Sequence, residues 1–249
     1  MPEISRDATI KVERANKHIS DLKDAIRALE DTYTSRVEMN REVGYQKLIH
    51  TFPYVESELS KLAPVVGDSV HNLRSAVDFA YNATLKRLVP VQLSPYSKFP
   101  VYDTREQLEK TLRGKGRRLD ITCPPLFRAI LDEIQPYKRG KNGVMYALHQ
   151  LDIPDKHLLL LGLRPNAFVK GIVLQKKNGE MTTINTLTLG GSGQFEIAFP
   201  ASVKIKENGK LHVSITVEEA GVFNGIPVID LLKAFSQYVF YVMKLLANI

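Results

Sequence analysis

The hydrophobic period changes once along this chain, and that change limits the folds open to it. Up to about residue 166, apolar residues recur at spacings of three and four, the mark of amphipathic helices. From Phe168 onward they come in short runs rich in Val, Ile and Thr, divided by Asn178-Gly179, Gly190-Gly-Ser-Gly193 and Asn208-Gly209. Asn-Gly between alternating runs is a strong hairpin signal. The pattern predicts an α+β fold. A helical N-terminal body over 1–166 is followed, over 167–249, by an antiparallel meander of four or five strands and a final packed helix. These are two domains, or two layers of one continuous domain.

Within the helical part, Ile10, Ala15, Ile19, Leu22, Ile26 and Leu29 predict a helix from Thr9 to about Ser35. Pro53 and Pro64 punctuate the approach to a second helix, about Val65 to Val89, which stops before Pro90. Thr104 is placed to cap a short helix over Arg105 to Leu112. Pro124-Pro125 opens a helix that Gln135-Pro136 closes, and a further helix covers Val144 to Leu151, with Pro154 breaking the register beyond it. At the C-terminus, Val228, Leu231, Leu232, Phe235, Val239, Val242 and Leu246 form one apolar helical face.

A chain of 249 residues with 44% hydrophobic and 24% charged content has the make-up of a globular protein. One cysteine, Cys123, leaves no intramolecular disulfide and no multi-cysteine metal site. The start carries no apolar signal, and Asp230, Lys233, Gln237 and Lys244 interrupt the most apolar stretch. A cytoplasmic protein with no membrane partner is the expectation. The formal charge of +7 is concentrated: residues 105–141 hold ten Lys or Arg against five Asp or Glu. Such a patch attracts phosphates or nucleic acid, unless it is an ordinary solvated face.

Phosphate-loop, dinucleotide-binding glycine, zinc-protease and nucleophile-elbow patterns are all absent. Two constellations remain. In Gly67-Asp-Ser-Val-His-Asn-Leu-Arg-Ser-Ala-Val-Asp78, helical geometry puts His71, Arg74, Ser75, Asp78 and Asn82 on one stripe. A solvent face would favour Lys and Glu; these residues hold directed hydrogen bonds. As a site, His71 transfers a proton, Arg74 clamps an anion and Asp78 orients a partner, with Asn72 and Ser75 at the ligand. As scaffolding, the same stripe is a buried polar network joining two elements.

The second constellation is Leu151-Asp-Ile-Pro-Asp-Lys-His157. Asp155 and Lys156 are candidate ligand contacts and His157 a second proton-transfer group, or Asp155 caps a helix and His157 bonds within the core. Arg113, Lys115, Arg117 and Arg118, in the loop Arg113-Gly-Lys-Gly-Arg-Arg118, are candidates for holding a phosphate backbone. His18, His50, His149 and His212 show no ligand spacing, so no metal and no cofactor is expected.

The run His71-Asn-Leu-Arg-Ser-Ala-Val-Asp78, then Phe99-Pro100, Gln135-Pro136-Tyr137 and Asp155-Lys-His157, resembles a large family of uncharacterised bacterial proteins. Its members carry a similar His-Asn-Leu-Arg-Ser-x-x-Asp helix and an Asp-Lys-His motif in that order, over about residues 60–160 here. Phe79 stands where that pattern has a second His. The resemblance implies a grouping and no reaction, and it implies that the two constellations belong together. A weaker likeness is to the HEPN ribonucleases, although here His71 precedes Arg74 and no Arg-x(4–6)-His run is present. Three expectations follow from these readings. One is action on a phosphate-bearing ligand, with RNA cleavage by a metal-independent His/Arg site as its sharpest form. The others are non-catalytic binding of nucleic acid or another anion, and an oligomeric structural protein clasped by the polar motifs.

Overall fold

The computed structural model describes residues 4–40, 42, 44–51, 55–88, 97–114, 118–157, 162–188, 193–218 and 223–249, with side chains at 55–59, 142 and 154–157 left aside. It is an α+β fold with a helical N-terminal part, C-terminal strands and a final helix. The chain forms two compact units, each discontinuous in sequence. The first takes Met1–Asp21, Ala63–Gly162 and Val217–Ile249; the second takes Leu22–Leu62 and Leu163–Thr216. The crossing at 162–163 lies close to the change of period at 166. The terminal helix falls to the first unit, and residues 22–62 to the second.

The first unit is helical, and two of its helices, the first and second of the chain, continue into residues 22–62 of the second unit. Helix α1 (Arg6–Asp31) buries Ala8, Val12, Ala15, Ile19, Leu22 and Ile26, alternating steps of four and three. Ile10, expected on that face, is 47% exposed, because it lies two residues from both Ala8 and Val12, about 200° around the helix from the buried stripe. Helix α2 (Val55–Leu88) is continuous through Pro64, which the sequence placed before the helix start. A proline in a helix removes one backbone hydrogen bond, and the buried Ala63, Val66, Val70 and Leu73 hold the turns that follow. Helix α3 (Arg105–Leu112) begins at Thr104 with a full capping box: the Thr104 side chain takes the Gln107 N–H, and the Gln107 side chain takes the Thr104 N–H. Short helices α4 (Leu119–Thr122) and α5 (Pro124–Arg128) lead into a wide turn over Ala129–Ile134, which ends where Gln135 adopts positive φ.

Helix α6 (Val144–His157) also runs through its proline, so Pro154 neither opens a new helix nor breaks the register. Helix α7 (Val228–Ala247) buries the seven apolar residues that its period marks. Its end is tied to α2, since Thr84 Oγ1 and Arg87 donate to the carbonyls of Leu246 and Ala247. Among the described residues no helix is long and apolar enough to cross a membrane.

The second unit holds two three-stranded sheets. Strands β1 (Thr34–Asn40) and β2 (Tyr45–Thr51) form a hairpin that the sequence left unassigned. The later strands are β3 (Leu163–Gln175), β4 (Met181–Thr188), β5 (Gln194–Pro200) and β6 (Lys204–Val217). They do not make one meander. β5 pairs antiparallel with β2, Leu48 opposite Ile197, giving the order β1-β2-β5; the other sheet runs β4-β3-β6. Asn178-Gly179 is the β3–β4 hairpin turn, with Gly179 at φ +86.

Asn208-Gly209 is not a turn. It lies inside β6, where Gly209 has φ +81 and comes so close to β3 that a Cβ would stand 2.5 Å from Val169 Cγ1 and 2.9 Å from Ile172 Cγ1. Glycine serves here for close approach and positive φ together.

His50 on β2 is fully buried. Its Nδ1 lies 2.6 Å from the Tyr33 hydroxyl, the two rings stack, and Nε2 has no partner among the described residues. Burial holds its pKa below the ordinary value of 6.5. The unfolded chain therefore binds a proton from pH 6.5 downward while the folded chain does not, so this contribution is complete above 6.5 and lost as pH falls toward the folded-state value. Urea midpoints should drop between pH 7 and 5.5, and His50→Gln should flatten that slope.

Candidate functional site

The polar stripe of α2 faces α6 and the segment Ser97–Phe99, all within the first unit. Two rungs join the helices. His71 Nδ1 lies 3.0 Å from Asp152 Oδ1, and Arg74 Nε points at His149 Nδ1 from 3.5 Å. Steps of three on each helix, in opposite chain directions, bring the pairs into line.

The stripe then divides by role. Arg74, 3% exposed, bonds through NH1 to the Asp78 carboxylate and donates through NH2 to the Phe99 carbonyl at 2.8 Å. The same Asp78 oxygen accepts the Phe99 N–H at 2.7 Å. Asn82 Nδ2 donates to the Ser97 carbonyl at 2.6 Å. Arg74, Asp78 and Asn82 thus bind the backbone of Ser97–Phe99 to α2, and Phe99 packs edge-on against buried Tyr81, ring centroids 5.4 Å apart. The guanidinium is engaged on both sides, so an incoming anion meets other cations first.

His71 is different. Its side chain is 42% exposed and Asp152 is 4% exposed, so a buried carboxylate holds one ring nitrogen of a half-open imidazole. The other nitrogen, Nε2, faces Ser75 Oγ at 3.4 Å. Asp152, not Asp78, orients the histidine. Asp152 was within reach of sequence reading, since a helix continued past Leu151 sets it one turn from His149.

Ser75 lines a cavity of about 410 Å³ with Asp78, Asn82, Lys86, Ser97 and Lys98, together with Ser5 and Asp7 at the start of α1. Phe79, 42% exposed, stands at its wall. With Asp78 paired to Arg74, two lysines face one carboxylate, Asp7. A second cavity of about 410 Å³ lies between α3 and α6, lined by Asp103, Gln107, Lys110, Tyr146 and His149. There Tyr146 donates to Asp103 Oδ1 at 2.6 Å, and that bond, more than burial, pushes the phenol up to about 12.

The other candidates lie elsewhere or outside view. Asn72 is buried; it donates to the Asp68 carbonyl and accepts from Lys11 Nζ, a packing role toward α1. The Asp155, Lys156 and His157 side chains, and all of Lys115 and Arg117, lie outside the described residues. Arg113 is held by Glu109 and Asp120 and lies over the Phe127 ring. Arg118 is exposed at φ +44 and starts α4. Comparison with family models, curated proteins and solved structures finds no match.

Proposed function

We propose that the protein binds a phosphate-bearing ligand in the cavity beside Ser75 and acts on it by proton transfer through His71. The observation that carries this reading is the Asp152–His71–Ser75 line. A buried carboxylate accepts Nδ1–H, which fixes the tautomer and leaves Nε2 as the base, directed at a hydroxyl on the cavity wall. Lys86 and Lys98 supply the positive charge there, in the place first given to Arg74.

With RNA as the ligand, the 2′-hydroxyl passes its proton to Ser75 Oγ as Ser75 passes its own to His71 Nε2, the 2′ oxygen bonds to phosphorus, and the 5′ oxygen leaves with a proton from solvent. The clasp of Arg74 and Asp78 on Phe99 favours a structural reading for that half of the stripe, and it keeps the cavity wall in place. The test is incubation with a 20-nucleotide RNA, bis(p-nitrophenyl) phosphate and pyrophosphate. Turnover of one of them that disappears in His71→Ala supports the reading, and turnover unchanged in that variant ends it.

A further inference from the structure

On the first unit, with none of its residues lining the cavity beside Ser75, α7 carries an exposed stripe: Lys233, Gln237, Phe240, Tyr241 and Lys244 at i, i+4, i+7, i+8 and i+11. Phe240 is 41% exposed and Tyr241 38%, unusual for rings on a helix whose other face is fully buried. Each ring meets an ammonium: Lys244 Nζ stands 4.5 Å from the Phe240 centroid, and Lys141 Nζ stands 5.3 Å from that of Tyr241.

Lys141 comes from the loop Lys138-Arg-Gly-Lys141, whose place beside α7 is built in. Tyr238 donates to the Ile134 carbonyl at 2.8 Å, and burial pushes its phenol up to about 12. Gln135 turns the chain at positive φ, and its side chain accepts the Lys141 N–H at 3.0 Å. Gly140 lies so close to Gln135 that any Cβ would overlap the Gln135 carbonyl. Lys138, Arg139, Lys141 and Lys244 form no ion pair among the described residues; of the exposed acids near them in sequence, Asp132 is paired with Arg105, which leaves Glu133 and Asp230 at either end.

We propose that this surface binds single-stranded nucleic acid. Two exposed rings offer stacking faces for unpaired bases, and cations on both sides meet the phosphates. When a base stacks, the lysine over that ring is released to a phosphate. From Lys233 to Lys244 the helix spans about 16 Å, room for roughly three extended nucleotides. Duplex bases are already stacked and cannot use the rings. A second copy of the chain would set this positive face against itself, and like charge opposes that pairing.

The proposal is independent of the cavity beside Ser75 and is tested with DNA, which lacks the 2′-hydroxyl. Anisotropy of fluorescein-labelled dT12 with the full chain should show binding that His71→Ala leaves unchanged. Phe240→Ala/Tyr241→Ala should weaken it about tenfold or more at an unaltered melting temperature. Lys141→Ala/Lys244→Ala should reduce the slope of log K against log salt by about 1.4. The proposal is overturned if dT12 does not bind, if a 12-base-pair duplex binds as tightly, or if the ring variant keeps full affinity. It is overturned equally if the ring variant instead abolishes binding to phosphatidylserine vesicles or self-association.

Discussion

Arg74→Ala is expected to destabilise the protein by about 3–5 kcal/mol, the range for removing one partner of a buried ion pair. The guanidinium is 3% exposed and bonds to Asp78 and to the Phe99 carbonyl. Without it, the carboxylate keeps its bond from the Phe99 N–H but loses its counter-charge, and the Phe99 carbonyl loses a donor. A lysine cannot span both partners, because one ammonium lacks the planar fork that serves two acceptors at once. In a chain of this length the loss corresponds to a melting temperature lower by roughly 10 °C. A loss under about 1 kcal/mol in urea unfolding would show that the Ser97–Phe99 segment is held by packing alone.

His71→Ala is expected to shift the balance: less to stability, much to turnover. The half-exposed imidazole leaves behind a buried Asp152 carboxylate, a loss of about 1–3 kcal/mol. In the proposed role of proton-transfer group, its loss should lower turnover by roughly 10²–10⁴. Asp152→Asn keeps the shape but loses the negative charge that steadies Nδ1–H and the imidazolium, so it should lower kcat more than it raises KM. Equal losses of stability in His71→Ala and Arg74→Ala, with turnover untouched, would return the whole stripe to scaffolding.

Much of the helical part was legible in the sequence because local signals and burial agree there. The α7 face, the Thr104 capping box and the Pro124 helix start each depend on residues within a turn or two. The failures came where distant packing decides. Pro64 and Pro154 read as breaks, yet tertiary burial on both sides of Pro64 carries α2 across it. β5 leaves its sequence neighbours for β2, about 150 residues earlier, a pairing that no local pattern encodes. Asn208-Gly209 has hairpin chemistry but serves close approach to Val169. At the candidate site, the stripe on α2 was visible as odd composition. Its division was not, because whether Arg74 faces a loop or a cavity depends on where Phe99 and Asp152 arrive from elsewhere in the chain.

The most direct measurement is calorimetric titration of the protein with inorganic pyrophosphate and adenosine 5′-monophosphate at low salt. Saturable binding of either one, weakened about tenfold by Lys98→Ala or Lys86→Ala and unaffected by Phe240→Ala/Tyr241→Ala, is the result predicted for a phosphate site beside Ser75. Absence of binding to both, or binding indifferent to the two lysines, would contradict it.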